Sequence, residues 1–102
     1  MLTNEVVLKI FEEYLAEDQA LEVVPTRHGH AVMLWDSAGQ DWSEVTCCQT
    51  PEELFDKLLD AVTGYQEYLI LREDEMDALD DTGEKKVEQL RQKYLARREA
   101  LR

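Results

Sequence analysis

An acidic run is the feature of this sequence that most suggests ion chemistry. Six of the nine residues from 73 to 81 are acidic, namely Glu73, Asp74, Glu75, Asp77, Asp80 and Asp81. Clustered carboxylates near a glycine suggest a helix–loop–helix calcium site, whose loop needs glycine at its sixth position. Placing Gly83 there puts Ala78 at the first ligand position and Gln89 at the last, so both essential carboxylates are missing. The run is therefore not predicted to be a calcium loop.

Histidine and cysteine pairs are the other candidates for chemistry. His28 and His30 are one residue apart, but zinc needs about four ligands, and Cys47 and Cys48 lie far along the chain,. Adjacent cysteines in a strand point to opposite faces, which disfavours a disulfide between them. We interpret both as buried structural thiols of a reducing compartment. Since no known catalytic or nucleotide-binding motif is present, we expect no enzyme, no cofactor and no metal.

The charge is divided unevenly along the chain. The net charge of −12 divides into −17 over residues 1–84 and +5 over residues 85–102. Direct nucleic-acid binding by the acidic body is disfavoured because such binding depends on Lys and Arg neutralising phosphates. A protein partner with a basic surface is favoured instead. No apolar run is long enough to span a membrane and no leader-like start is present, which predicts no membrane association and a cytoplasmic location.

Hydrophobic periodicity predicts the elements that must position these residues. Thr3 and Thr50 have the chemistry of helix N-caps, and Gly83 is predicted to end a long helix in the left-handed conformation. Pro25 places the first strand at a sheet edge. The predicted elements are a helix over 3–17, strands over 21–27, 31–36 and 41–48 with turns at 28–30 and 37–40, a second helix over 51–80 and a third over 84–101.

The order αβββαα predicts the α+β class. A three-stranded antiparallel meander should pack on helices, with the long second helix and the C-terminal third helix forming a helical hairpin. One domain is expected over 1–102, and the basic helix of 84–102 is a possible appendage of it. This helix either folds back on the acidic second helix or binds phosphate or another acidic surface. The order αβββα resembles double-stranded-RNA-binding domains in topology alone, because the second helix opens with Glu52 and Glu53 instead of basic residues.

The register of the second hairpin predicts an aromatic surface. Closing the turn over Ala38 and Gly39 pairs Trp35 with Trp42 and predicts one core face and one opposite face. The predicted core face contains Val32, paired with Val45, and Leu34 and Cys47. The opposite face contains Met33, Trp35 and Trp42, with Glu44 and Thr46. These aromatic residues are covered by the third helix or a dimer mate, or they form only a small cross-strand aromatic pair. The functional alternative is a docking patch, since Trp is enriched in binding hot spots.

These patterns favour a non-enzymatic, acidic protein-binding module. Its predicted contact residues are the acidic run and the aromatic residues Met33, Trp35 and Trp42. As a class, it resembles phage-encoded DNA mimics and anti-CRISPR inhibitors, which dock on basic surfaces of nucleic-acid-processing enzymes. The alternatives are a homodimeric structural or adaptor protein and, with less support, a metal-binding protein or enzyme. Acidity that serves only solubility is a further alternative.

Overall fold

The computed structural model describes residues 2–75 and 77–101, except for the side chain of Asp74. The elements are α1 Asn4–Ile10, α2 Glu12–Glu17, β1 Leu21–Thr26, β2 Gly29–Asp36, β3 Asp41–Cys48, α3 Pro51–Asp74 and α4 Asp81–Leu101. The predicted α+β class and antiparallel meander are confirmed, with strand order β1-β2-β3. Among the described residues, no helix is long and apolar enough to cross a membrane.

The predicted first helix is interrupted once, at Phe11. Thr3 is its N-cap as predicted, because its side-chain oxygen accepts the N–H of Val6 at 3.2 Å. The backbone leaves helical geometry at Phe11, with φ −100° and ψ 10°, and α2 begins at the next residue. The Phe11 ring is fully buried and lies 5.3 Å from the ring of Phe55 on α3. The interruption therefore coincides with an aromatic side chain at the centre of the core.

The first hairpin turns at residues 27–28, one residue earlier than the sequence predicted. Thr26 pairs with Gly29, so Gly29 and His30 belong to β2 and not to the turn. Gly29 has φ +124°, and a Cβ there would overlap the carbonyl oxygen of Cys48. Only glycine fits this position, because it combines a left-handed backbone with close approach of a neighbouring strand. Pro25 lies on β1, which is an edge strand as predicted.

The second hairpin contains a β-bulge that the sequence did not predict. Trp35 pairs with Trp42 as expected, but Leu34 pairs with Glu44, which leaves Ser43 as the extra residue. The Ser43 hydroxyl donates to the carbonyl oxygen of Leu34 at 3.2 Å. Because side chains alternate along a strand, one extra residue moves every later side chain to the other face. The predicted pairing of Val32 with Val45 was wrong: Val32 pairs with Thr46, and Val45 pairs with Met33.

The long helix α3 begins as predicted and ends earlier than predicted. The Thr50 side chain accepts the N–H of Glu53 at 3.1 Å, and the Glu53 carboxylate accepts the N–H of Gln49 at 3.0 Å. The predicted end at residue 80 was wrong, because Glu75 adopts the left-handed conformation with φ 52° and ψ 42°. A residue in that conformation ends a helix.

Gly83 has a different role from the predicted helix stop. It lies in the first turn of α4, where its N–H donates to the side chain of Asp80 at 2.8 Å. A Cβ at Gly83 would lie 3.0 Å from the side chain of Leu79 and 3.5 Å from that of Ile70 on α3. The small residue therefore allows the start of α4 to approach α3 closely.

Helix α4 packs against α3 and α1 and completes the core. Tyr94 is 4% exposed and its ring stacks on that of Phe11, with centroids 4.7 Å apart and planes 8° apart. The guanidinium of Arg98 lies over the ring of Phe55 at 4.7 Å, and that of Arg97 lies over Tyr94 at 5.1 Å. These are cation–π distances, so two of the basic residues of α4 cover core aromatics. The basic helix returns along α3, which forms the predicted helical hairpin.

Candidate functional site

One face of the sheet is left uncovered by the helices. The shortest extent of the molecule is 18 Å. This thickness accommodates one sheet and one layer of helices packed about 10 Å from it, so the helices cover one side of the sheet. The register defines the side of the sheet that points away from α3. We call this side the outer face; its residues are Glu22, Val24, Ala31, Met33, Trp35, Trp42, Val45 and Cys47.

The aromatic part of the outer face was predicted from the sequence. Met33, Trp35 and Trp42 lie together as expected, and the two tryptophan rings meet edge to face with centroids 5.0 Å apart. Trp35 is 39% exposed and Val45 is 59% exposed. The rings stabilise each other in this arrangement by roughly 0.5–1.5 kcal/mol, yet one of them keeps a large area in contact with solvent.

The bulge enlarges the apolar part of this face. Val45 and Cys47 were expected in the core, and both lie on the outer face, where they are exposed. Glu44 and Thr46 were expected beside the tryptophans and lie on the inner side instead. There, Glu44 accepts a hydrogen bond from Lys57 on α3 at 2.6 Å. Sequence reasoning missed this exchange because Ser43 gives no local signal that distinguishes a bulged residue from a paired one.

One carboxylate lies on the outer face, and two more lie in the adjoining hairpin end. Asp36 and Asp41 pair at the hairpin end, beside the tryptophans, and Glu22 lies opposite Met33 on the face itself. The carboxylate of Asp41 accepts the N–H of Trp42 at 2.7 Å, and that of Asp36 accepts the N–H of Ala38 at 3.1 Å. The two hairpin carboxylates therefore order the turn. Because side chains alternate along a strand, they point to the inner side, and Glu22 supplies the carboxylate on the outer face itself,.

The predicted acidic run forms the connection between α3 and α4. Glu73 lies in the last turn of α3, and Glu75 and Asp77 are exposed in the connection, whereas the side chain of Asp74 lies outside the described residues. Asp80 caps α4, and Asp81 opens its first turn, where negative charge is favourable to the helix dipole,. The run thus belongs to the helical layer, and none of its described residues lies on the sheet.

The described ion pairs do not neutralise the acidic run. They join Lys57 to Glu44, Arg91 to Glu88 and Arg98 to Glu99. Within the described part of the chain, none of them links α4 to residues 73–81, although α4 packs on α3. Two basic residues of α4 make aromatic contacts instead. The described side chains of the run are exposed to solvent, and they are Glu73, Glu75, Asp77, Asp80 and Asp81.

The thiols and imidazoles do not converge. Cys47 is exposed, so the expectation of two buried thiols was wrong for this residue, while Cys48 is buried and burial raises the pKa of its thiol. Both cysteines are free. His28 is exposed in the turn, and His30 lies within β2, opposite Cys48. Among the described residues, no group of three or more His, Cys, Asp or Glu side chains is placed to hold a metal ion.

A cavity on the inner side of the sheet was not predicted from the sequence. Its volume is about 530 Å³, and it lies between α3 and the end of the sheet where β1 begins. Leu21 and Leu34 form part of its apolar lining. Three tyrosines, Tyr14, Tyr65 and Tyr68, also line it. The local signal that could have indicated it is Gly64, a glycine in the interior of a long helix.

A buried carboxylate organises one wall of this cavity. Asp18 accepts the hydroxyl of Tyr14 at 2.7 Å through one oxygen and the N–H of Ala20 at 3.2 Å through the other. Burial, together with the hydrogen bond to Asp18, raises the pKa of Tyr14, so this phenol stays neutral. Burial also raises the pKa of Tyr65, with further contributions from the negative charges of Glu17 and Asp18. The rings are therefore neutral and lie in a negative environment.

Comparison with known proteins identifies no relative: no protein-family model matches the chain, no curated protein matches it in sequence, and no solved structure matches it at a significant level.

Proposed function

We propose that this chain is a non-enzymatic protein-binding module that docks on its partner through the outer face. The observation that carries the proposal is the uncovered apolar strip of Met33, Trp35, Trp42 and Val45 on a two-layer fold. Adjacent exposed apolar side chains with a polar rim are typical of protein interaction sites. Tryptophan is the residue type most enriched among interface hot spots, so the edge-to-face pair is the expected anchor of the contact.

Charge complementarity determines the kind of partner. The chain carries a net charge of −12, and Asp36, Asp41 and Glu22 adjoin the tryptophans. Two copies that met through this face would bring two Glu22 carboxylates and two strongly acidic chains together, which costs free energy. A different protein with basic residues around an apolar patch complements both the centre and the rim. We therefore favour a basic partner over the homodimer.

An inhibitor of a nucleic-acid-processing enzyme is the more specific form of this proposal. Exposed acids follow α3 along one side at helical spacing, and they are Glu53, Asp56, Asp60 and Glu67,. Such a row, with the exposed carboxylates of the acidic run, would occupy a basic groove in place of phosphates. Electrostatic steering then predicts fast association that weakens as salt increases.

Affinity capture with matched variants tests the proposal. The wild type and a Trp35→Ala/Trp42→Ala variant are used as bait, with Leu101→Ala as the control because Leu101 is also apolar and 51% exposed but lies on α4. A captured protein should be basic. Loss of one hot-spot residue costs at least about 2 kcal/mol, so the affinity for the double variant should fall at least ~30-fold, and ~1,000-fold if the two losses add. Leu101→Ala should bind like the wild type.

Two results would contradict the proposal. One is a partner whose affinity is the same for the double variant and the wild type, while circular dichroism shows both to be folded. The other is an affinity that does not change between low and high salt, which removes the charge argument. Sedimentation of the isolated protein addresses the homodimer: a dimer that dissociates on Trp35→Ala substitution would assign the outer face to self-association.

A further inference from the structure

The inner cavity has the size and position of a ligand site. Its volume of about 530 Å³ lies within the range of roughly 300–1,000 Å³ that is usual for small-molecule sites. It opens between Ala61 and Tyr65 of α3 and the paired residues Leu21 and Leu34 of the sheet. The sheet separates it from the outer face, so its occupant is recognised independently of the tryptophan contact.

The aromatic part of the cavity lining consists of three tyrosine side chains. The rings of Tyr14 and Tyr65 are 5.6 Å apart and tilted by 56°, and both residues line the cavity. Tyr68, one turn further along α3, is 56% exposed and lies at the opening. The face of a neutral phenol ring attracts cations through its quadrupole, most strongly where water is partly excluded.

Negative charge exceeds positive charge around the cavity. Three carboxylates, those of Asp18, Glu44 and Asp60, and one ammonium, that of Lys57, belong to the lining residues. The ammonium is already paired with Glu44 at 2.6 Å, and the pairing lowers the pKa of Glu44. Asp18 and Asp60 therefore remain as net negative charge, and an occupant with positive charge is favoured over a neutral or anionic one.

Gly64 supplies an independent observation at the same place. It lies in the interior of α3, where glycine is less stable than alanine by about 1 kcal/mol, and a Cβ there would meet no atom within 4 Å. Packing within the chain therefore gives no reason for the glycine. Because Gly64 lines the cavity, its missing side chain provides room for a group from outside to approach the helix.

We propose that this cavity binds an organic cation, an alkylammonium or guanidinium group, with its charge between the tyrosine rings and the carboxylates of Asp18 and Asp60. The cation has two sources in principle, a Lys or Arg side chain of a partner protein or a free amine. Both offer the same chemistry to the cavity. The inference goes beyond the proposed function, because a free amine would bind without any protein on the outer face.

Nuclear magnetic resonance titration of the full chain tests this inference. The probes are tetramethylammonium, N-acetyl-lysine methylamide and N-acetyl-arginine methylamide, all at constant ionic strength. The neutral probe is 3,3-dimethylbutan-1-ol, whose tert-butyl group has the shape of a trimethylammonium group without its charge. We expect saturable shifts at amides around the cavity for the cations and weaker binding, by about threefold or more, for the alcohol. Tighter binding of the amino-acid amides indicates a partner's side chain, and tighter binding of tetramethylammonium indicates a free amine.

Matched variants locate the site. Asp60→Asn should weaken cation binding about threefold to tenfold, whereas Asp56→Asn, one turn earlier on the same helix and outside the cavity lining, should not change it. Gly64→Leu should fill the cavity and abolish the shifts, and Gly64→Ala provides a milder variant with an unperturbed or raised melting temperature. Any one of three results would overturn the inference. These are equal binding of the alcohol and the cations, equal effects of the two Asp→Asn variants, and the absence of a saturable shift. The Trp35→Ala variant should titrate like the wild type, which separates this result from the outer-face proposal.

Discussion

Replacing Tyr94 by alanine is expected to lower the free energy of unfolding by about 4 kcal/mol. Tyr94 is 4% exposed, and its ring stacks on that of Phe11 at 4.7 Å. Removal of a buried large aromatic side chain costs roughly 3–5 kcal/mol, because apolar contact is lost and a cavity is left. Tyr94→Ala also removes the ring stacking and the contact with the guanidinium of Arg97. The cost of this substitution should therefore lie in the middle of that range or higher,.

The measurement is equilibrium unfolding in urea, followed by both tryptophan fluorescence and far-ultraviolet circular dichroism. A loss of that size lowers the melting temperature of a domain of this length by roughly 15–30 °C. Tyr68→Ala is the matched control, since Tyr68 is 56% exposed and its removal should cost no more than about 0.5 kcal/mol. A loss below about 1 kcal/mol for Tyr94→Ala would refute the packing of α4 into the core and make this helix an appendage of the domain.

Further substitutions test the turn, the bulge and the inner ion pair. Gly29→Ala should cost about 3 kcal/mol, from left-handed strain and backbone overlap, and urea unfolding measures this loss. Val32→Thr should cost about 1–3 kcal/mol because it buries a hydroxyl group, whereas Val45→Thr should be nearly neutral; equal costs in the same assay would contradict the bulged register. Lys57 holds the pKa of Glu44 below its usual value, so this contact contributes stability that is present above the unfolded pKa and lost as the pH falls through the folded pKa. Glu44→Gln should therefore reduce the pH dependence of the melting temperature on the acidic side, and an unchanged profile would show that the pair contributes nothing measurable.

The parts of the fold that were predictable depend on local chemistry. The caps at Thr3 and Thr50 and the edge position of Pro25 follow from hydrogen-bonding groups and backbone restrictions within a few residues. The early end of α3 at Glu75 was not predictable in this way, because a left-handed glutamate costs free energy that the surrounding structure must offset,. The bulge at Ser43 was not predictable either, because it turns Glu44 toward Lys57 on α3, and this contact exists only in the folded chain.

The two candidate sites differ in how far the sequence indicated them. The pairing of Trp35 with Trp42 across a short turn depends on residues close in the chain, so it was predictable. The cavity draws its lining from α2, the sheet and α3, and no local pattern brings Tyr14 near Tyr68. Glycine is unfavourable in a helix interior, but the open surroundings of Gly64 became evident only in the folded chain,.

The bulge at Ser43 also bears on how this protein avoids aggregation. The sheet has two free edges, β1 and β3, and an open edge beside an exposed apolar face would invite other chains to add strands,. Pro25 removes a hydrogen-bond donor from the first edge strand, and the bulge disrupts the regular spacing of the second,. Both edges thus discourage strand addition, and the tryptophan face can remain in contact with water without recruiting neighbouring chains into fibrils.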